Sequence, residues 1–175
     1  MAIKGEHGIK VRHARTKDVR AIAALMQPYV QERILLGKDL VVLYESVQEF
    51  RVAVTPEDEV VGAGALHVMW DDIAEARSIA VRQDWLGKGV GRVLLEGLER
   101  DALKLGLKSL FCLTFEVAFF ERAGFEAMDE GEPLVAADVY AELVRSPDEG
   151  VAEALDLARV KPNTLGNTRM LKRIG

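Results

Sequence analysis

The sequence predicts a single mixed α/β domain in which a glycine-rich turn joins a strand to a helix. Three observations support this fold class. Residues 86–91 read Leu-Gly-Lys-Gly-Val-Gly, between a predicted strand at Arg77–Val81 and a predicted helix that begins near Gly89. Segments with the apolar period of helices alternate along the chain with segments typical of strands. Ser109–Thr114 is short and almost entirely apolar, as expected for a strand buried on both faces of a sheet.

The first part of the chain predicts three strands and two helices. Ile9–Ala14 is the first predicted strand, and Thr16 is a suitable N-cap for the helix that follows it. A second helix is predicted over the apolar stripe at residues 40–47. Phe50–Thr55 and Val60–Met69 are strands on either side of a polar turn, which predicts a hairpin.

The middle of the chain predicts two strands that each lead into a helix. Ala74–Val81 is the fourth predicted strand, and it runs into the glycine-rich turn and its helix. Ser109–Thr114 is the fifth. Val117–Arg122 predicts a short helix, and Gly124 is a residue type that commonly caps helix C-termini.

The N-terminal end of the chain is expected to be flexible, whereas the C-terminal end is expected to be folded. Residues 1–8 are predicted to be a flexible N-terminal tail, and residues 9–175 a single domain. Two helices are predicted between Ala136 and Ala158, the second with Ser146 as its N-cap and a proline at its first position. Thr168–Ile174 is predicted to be the final strand.

Composition and charge restrict the function classes. The 175 residues are enough to bury a full core, and the formal net charge of −5 with scattered basic residues disfavours nucleic-acid binding. No apolar run approaches the roughly 18 residues of a membrane span, and Met1–Lys10 lacks the apolar core of a signal peptide. Cys112 is the only cysteine, and its apolar neighbours predict a buried, inert thiol. We therefore expect a cytoplasmic protein without nucleic-acid or membrane partners.

The glycine-rich turn predicts a site for phosphate groups. A glycine turn that opens a helix directs several backbone N–H groups toward one point, and the helix N-terminus adds positive potential. The predicted ligand class is therefore a phosphate or pyrophosphate. The histidines show no ligand spacing, so no metal is expected, and His67 is interpreted as a structural residue within a strand.

The order of elements and two motifs resemble the GNAT superfamily of N-acetyltransferases. The family pattern at the turn is Gln/Arg-x-x-Gly-x-Gly/Ala, in which Gly89 and Gly91 match the glycines and Leu86 replaces the first residue. Residues 120–125, Phe-Glu-Arg-Ala-Gly-Phe, resemble the family's Tyr-Glu-Lys-x-Gly-Phe segment. The resemblance covers residues 10–129 and implies a central, mixed but mostly antiparallel twisted sheet, splayed between strands four and five and flanked by helices.

A narrower resemblance concerns the acetyltransferase domain of N-acetylglutamate synthases. It rests on Ile-Leu-Leu-Gly-Lys at residues 34–38, Phe-Cys-Leu-Thr at 111–114 and the stretch 161–171. The whole chain is similar to the short, stand-alone actinobacterial type. This resemblance implies acetyl transfer from acetyl-CoA to the α-amine of L-glutamate, by direct attack in a ternary complex, as the first step of arginine biosynthesis.

The same resemblance implies the catalytic groups. Many GNAT enzymes have a glutamate base at the position of Glu75, eleven residues before Leu86. A base is useful because an α-amino group has a pKa of about 8. The alternative is a solvated carboxylate at the strand end. The family's tyrosine acid is replaced by Phe120, and a thiolate with a pKa of about 8.5 is a tolerable leaving group unaided.

Main-chain groups are implied to hold acetyl-CoA. Backbone groups of Ile79, Ala80 and Val81 would pair with the pantetheine arm, and the amide of Ile79 would polarise the thioester carbonyl. These residues are equally suited to the core. The other implied cofactor-binding residues are Leu86, Gly87, Lys88, Gly89, Val90, Gly91 and Arg92.

Glutamate carries two carboxylates, so its pocket needs cations or N–H donors. The residues predicted to bind it are Lys38, Arg77, Thr114 and Arg169. For each of the three cations, a solvated surface position is the alternative. Lys38 has the strongest case, because it follows an apolar segment in the loop expected to cover the substrate. Asn163 and Asn167 could add amide contacts or simply make turns.

Alternative functions remain open at this stage. L-Glutamine differs from L-glutamate only at the end of its side chain. A peptide or polyamine amine would keep the chemistry, although the loop at 34–38 suggests a closed pocket. A non-catalytic acyl-CoA sensor is also consistent with Leu86 and Phe120. A homodimer is possible, and residues 136–158 are the candidate interface because they lie outside the common core.

Overall fold

A computed structural model of the chain describes residues 3–155 and 167–175. Its strands are β1 (Ile3–Lys4), β2 (Lys10–His13), β3 (Phe50–Val54), β4 (Val60–Val68), β5 (Ile73–Val81), β6 (Ser109–Thr114), β7 (Glu126–Ala127) and β8 (Thr168–Arg173). They form one sheet in the order β1-β2-β3-β4-β5-β6-β8-β7. Within the described residues, β5 and β6 pair in parallel and the other neighbours pair antiparallel. The mixed, mostly antiparallel sheet is therefore confirmed.

Helices cover both faces of the sheet. They are α1 (Val19–Gln31), α2 (Leu40–Glu45), α3 (Val90–Lys104), α4 (Val117–Arg122), α5 (Ala137–Leu143) and α6 (Glu149–Ala154). Successive strand residues point to opposite faces. Ala74 of β5 packs in a cluster with Leu98 of α3, whereas Ile73 packs in another with Val151 of α6. Helices α3 and α6 thus pack against opposite faces of the sheet at β5.

Strands β5 and β6 pair only where they begin. Their register joins Ile73 to Ser109, Ala74 to Leu110 and Glu75 to Phe111. Beyond that point β5 continues alongside β4, and β6 continues alongside β8. The two strands therefore diverge from Glu75 onward, which confirms the splayed sheet. We call the space between their diverging ends the β5–β6 opening.

A β-bulge lies on β5 beside this opening. The register with β4 joins Ala65 to Arg77 and Ala63 to Ala80, so Gly64 alone faces Ser78 and Ile79. Ser78 has a φ of 56°, in the left-handed region. A bulge redirects side chains along its strand. Arg77 therefore reaches the α6 side, while Ile79 packs against the α3 side.

Two helix starts differ from the sequence prediction. Thr16 begins a short 3-10 helix, Thr16–Asp18, and α1 starts only at Val19. The predicted cap at Ser146 is wrong, because Asp148 is the N-cap of α6 and its side chain accepts a hydrogen bond from Val151 N. A carboxylate is a stronger acceptor than a hydroxyl, and Ser146 instead accepts from the Asp148 N–H at 3.2 Å.

Two short strands lie outside the predicted elements. Ile3–Lys4, in the expected tail, pairs with β2, and Glu126–Ala127 pairs with β8. Two-residue edge strands carry almost no periodic signal, which explains why the sequence pattern did not predict them. No helix in residues 3–155 and 167–175 has the length and apolar character needed to cross a membrane.

Candidate active site

The glycine-rich turn has the backbone conformation that its sequence predicts. Gly87 and Gly89 have φ values of 75° and 76°, which L side chains adopt at a cost. Helix α3 begins at Val90, directly after Gly89. The first N–H groups of a helix have no intrahelical acceptor, so the N–H groups of this turn are available to an anion.

The side chains of the turn are exposed or make local contacts. Leu86 is half exposed. The Lys88 ammonium lies 4.7 Å from the centroid of the Trp85 ring. Arg92 donates to Glu96 Oε1 at 3.0 Å, one turn further along α3. An anion at this turn would therefore be held by backbone groups, which is compatible with a leucine at its first position.

Tyr29 of α1 reaches into the β5–β6 opening. The Arg82 N–H donates to Val61 O on the β4 side. Because the C=O and N–H of one trans peptide point in opposite directions, Val81 O faces away from β4, into the opening. Tyr29 donates its hydroxyl to this oxygen at 2.7 Å, and burial raises the pKa of the phenol. The sequence analysis missed Tyr29, since it looks like one more apolar residue of the helix.

Glu75 occupies the point where β5 and β6 separate. Its side chain is buried, so the solvated alternative is wrong. Burial raises the pKa of Glu75 to about 7, although Arg77 and His67 act in the opposite direction. Its Oε2 atom has no hydrogen-bond partner in the described part of the chain. The carboxyl group can therefore take up or release a proton near neutral pH.

Arg77 lies beside Glu75 but is bound elsewhere. Its Nη1 and Nη2 donate to the two oxygens of Asp148 at 2.6 and 2.9 Å. His67 Nδ1 lies 2.9 Å from Glu49 Oε1, and its Nε2 lies 3.9 Å from Asp148 Oδ2. Burial alone would raise the pKa of Asp148, but the bonds from Arg77 outweigh it and hold that pKa below its usual range.

Lys38 is a half-buried cation near the same group of charges. Burial lowers its pKa, and repulsion from Arg77 adds to the effect, while Asp148, Glu75 and Glu49 oppose it. Within residues 3–155 and 167–175 it makes no ion pair or hydrogen bond. The structure thus brings Lys38, Arg77 and Glu75 together. Of the two cations in this group, Arg77 has a hydrogen-bonded carboxylate, whereas Lys38 has none within the described residues.

The other predicted substrate residues lie further along β6 and β8. Thr114 Oγ1 accepts from the Glu116 N–H at 2.8 Å, in the turn after β6. Arg169 donates to Glu132 O at 2.8 Å, and its guanidinium lies 6.0 Å from the centroid of the Phe111 ring. Asn167 donates to Glu153 Oε1, and Asn163 lies outside the described residues.

Cys112 is buried in the α3-side cluster, and burial raises the pKa of its thiol. A protonated, inaccessible thiol is a poor nucleophile. Within the described ranges, no group of three or more His, Cys, Asp or Glu side chains is arranged to hold a metal ion.

The sequence analysis missed three residues of the charged cluster: Glu49, His67 and Asp148. His67 had been interpreted as structural. For Asp148 a signal was present, since it lies in the capping segment 146–149, but the cap was assigned to the serine. Nothing in the sequence links Asp148 to Arg77, which is 71 residues away.

Comparison with family models decides the family. Residues 19–125 match the model described as the acetyltransferase (GNAT) family. The chain belongs to the GNAT acetyltransferase family. This match spans the glycine-rich turn, the β5–β6 opening and the segment at 120–125, so the resemblance stated from the motifs is confirmed, and with it the prediction of an acetyltransferase.

The relatives of this GNAT enzyme include matches over more than nine tenths of the chain. An amino-acid acetyltransferase of Mycobacterium tuberculosis (strain ATCC 25618 / H37Rv) is 52% identical over 163 residues, which cover 92% of each chain. The crystal structure of Rv2747 from Mycobacterium tuberculosis, in complex with CoA and NLQ, superposes with a TM-score of 0.89 at 49% identity, covering 94% of this chain and 99% of that one.

A more distant structure shares the fold alone. N-acetylglutamate synthase from Neisseria gonorrhoeae, complexed with coenzyme A and N-acetyl-glutamate, gives a TM-score of 0.74 at 21% identity. The superposition covers 95% of this chain but 35% of the Neisseria chain.

Proposed function

We propose that this GNAT enzyme transfers the acetyl group of acetyl-CoA to the α-amine of L-glutamate, as an N-acetylglutamate synthase. The observation that carries the proposal is a buried carboxyl group, Glu75, with one unpartnered oxygen at the point where β5 and β6 separate. A glycine turn suited to pyrophosphate follows the other end of β5, and Lys38, near Glu75, has no hydrogen-bonded partner within the described residues. Its product would be the first intermediate of arginine biosynthesis.

The residues present fit acetyl-CoA. In the described structure the edge of β5 beyond Glu75 is not paired with β6, so its main-chain groups can pair with an amide-containing arm. The turn at 87–92 can hold the pyrophosphate through backbone N–H groups. Acetyl-CoA supplies an activated thioester, and the proposed role of the Ile79 N–H, within the bulge, is to polarise its carbonyl.

Glu75 is the proposed general base. An α-ammonium group with a pKa of about 8 is mostly protonated at neutral pH and cannot attack until it loses a proton. A carboxylate whose pKa is about 7 is a far better acceptor for that proton than one at the ordinary 4.5. We infer direct attack by the amine in a ternary complex, with Glu75 holding the proton.

Lys38 is the proposed partner of a substrate carboxylate. Arg77 is already held by Asp148, and Arg169 donates to a main-chain oxygen, so both have competing partners. Within the described residues, Lys38 is the predicted substrate-binding cation without a hydrogen-bonded partner, and one such cation suits a ligand with one carboxylate as well as a dicarboxylate. This observation makes L-glutamine the second candidate acceptor.

One relative supports an amino-acid acceptor, and a more distant structure supports the fold alone. The Mycobacterium tuberculosis relative is described as an amino-acid acetyltransferase, and the Neisseria gonorrhoeae structure contains N-acetyl-glutamate. The first covers nearly the whole chain, whereas the second supports the fold alone.

The test is thiol release from acetyl-CoA by the purified protein, with each amino acid supplied as acceptor. A saturable signal with L-glutamate and little with aspartate or lysine is expected. A stronger signal with L-glutamine would replace the named acceptor. No signal with any amino acid, despite measurable CoA binding, would refute the proposal.

The role of Glu75 is tested with Glu75→Gln, using Glu57→Gln in an exposed turn as the control. The first variant should lose turnover while keeping its affinity for CoA, and the second should keep both. An unchanged rate in Glu75→Gln would remove Glu75 from the mechanism.

A further inference from the structure

Two carboxylates compete for one guanidinium in the charged cluster. Asp148 accepts two hydrogen bonds from Arg77, in the bidentate geometry that is strongest for this pair. Glu75 Oε2 lies 3.6 Å from the same Arg77 Nη1, close enough for electrostatic attraction but without a hydrogen bond. Asp148 therefore holds the guanidinium that Glu75 would otherwise bind.

The start of α6 fixes this arrangement. Asp148 Oδ1 also accepts from the Val151 N–H at 2.9 Å, which anchors the carboxylate as the N-cap of α6. The backbone of Gly150 packs against the cluster, since a Cβ atom there would overlap Arg77 Nη1 and lie 3.4 Å from Glu75 Oε2. The first turn of α6 thus covers both side chains and excludes water from them.

We propose that Asp148 is a positioning residue that keeps Arg77 engaged and so preserves Glu75 as a proton acceptor for the substrate amine. This inference rests on the proposed role of Glu75 as the base. Without Asp148, Arg77 loses both of these hydrogen bonds, and the carboxylates left beside it are Glu75, 3.6 Å from Nη1, and Glu49, 3.7 Å from Nη2. Glu75 is the one on the Nη1 side that Asp148 Oδ1 vacates. A carboxylate bound to a guanidinium is stabilised in its ionised form and becomes a weaker base.

Titratable groups lie on each element that neighbours Glu75. They are Arg77 on β5, His67 on β4, Glu49 before β3, Lys38 before α2, Asp148 and Glu153 at α6, and the neutral thiol of Cys112 on β6. Asp148 and Glu153 raise the pKa of Glu75, whereas Arg77 and His67 lower it. Removing the Asp148 charge and releasing Arg77 should therefore both lower the pKa of Glu75.

The test is Asp148→Asn, measured by the pH dependence of kcat/KM and by carbon-13 NMR titration of the Glu75 carboxyl, assigned with Glu75→Gln. Loss of the nearby Asp148 charge and a new hydrogen bond from Arg77 each favour the ionised form of Glu75, and changes of this kind lower a carboxyl pKa by about one unit or more. Both the acid limb of the rate profile and the NMR midpoint should therefore move down by about one pH unit. Asp138→Asn, which removes an exposed charge from α5, is the matched control and should move neither.

A double variant separates the role of Arg77 from a general loss of structure. In Arg77→Gln/Asp148→Asn the buried pair is neutral, and the Glu75 midpoint should return to at least its original value. Asp148→Glu should restore part of the original profile. A folded Asp148→Asn protein with an unshifted midpoint would overturn the inference, as would a double variant with the same downward shift.

The NMR readout also separates this inference from the proposed function. If Glu75→Gln keeps full activity, Glu75 is not the base, and the proposed mechanism fails. A shifted Glu75 titration in Asp148→Asn would still show that Asp148 controls its protonation, whereas an unshifted one would refute that control independently of turnover.

Discussion

The stability of Glu75→Gln relative to the original protein should increase as pH rises from 4.5 to about 7. Burial raises the pKa of Glu75 from 4.5 to about 7 in the folded chain, whereas an unfolded chain restores the ordinary value. Below pH 4.5 the group is protonated in both states and contributes no pH dependence. Between the two values the unfolded state is ionised and the folded state is not, so the free energy of unfolding falls as pH rises.

The size of the effect follows from the two pKa values. A difference of one pKa unit corresponds to about 1.4 kcal/mol, so the cost of ionising Glu75 in the folded protein reaches about 3 kcal/mol above pH 7. Glutamine has nearly the shape of the protonated acid and never ionises. The difference in free energy of unfolding between the variant and the original protein should therefore shift by about 3 kcal/mol in favour of the variant between pH 4.5 and pH 8.

Urea unfolding at both pH values, followed by tryptophan fluorescence, measures this difference; comparing the two pH values cancels any change in packing. Glu57→Gln, in an exposed turn, should show no such pH-dependent gain. If the stabilities of Glu75→Gln and the original protein ran parallel from pH 4.5 to 8, Glu75 would not be a buried acid with a raised pKa. That result would also remove the electrostatic basis for its role as base.

Three further outcomes are expected. Gly89→Ala should lower the free energy of unfolding by about 1 kcal/mol, because φ is 76°, and should raise the KM for acetyl-CoA. Gly131 has the same φ but lies outside the turn, so Gly131→Ala should lower the free energy of unfolding and leave the KM unchanged. Tyr29→Phe should lower the free energy of unfolding by about 1 kcal/mol in urea titrations, since a main-chain oxygen of β5 loses its donor. Lys38→Met should raise the KM for the amino acid roughly tenfold and leave that for acetyl-CoA unchanged, and exposed Lys104→Met should change neither.

Local patterns predicted the elements whose structure depends on local geometry. Ser109–Thr114 and Val117–Arg122 have the predicted bounds. The apolar run of the strand and the glycine after the helix are signals carried by residues that are adjacent in sequence. The turn at 86–91 was predictable for the same reason, since its conformation needs glycines at fixed positions. The start of α6 was misplaced by two residues, where a serine and an aspartate compete for one cap.

The sequence by itself determined the family, the glycine turn and the presence of a carboxyl group on the fourth predicted strand. Only the tertiary structure decided what surrounds that carboxyl group. Glu75 is buried because α6 packs over it, and Arg77 is diverted by Asp148, 71 residues further along the chain. The distances in space between Glu75, Arg77 and Asp148 are set by packing between elements that are remote in sequence. The pKa of a carboxyl group depends on these distances rather than on its neighbours along the chain.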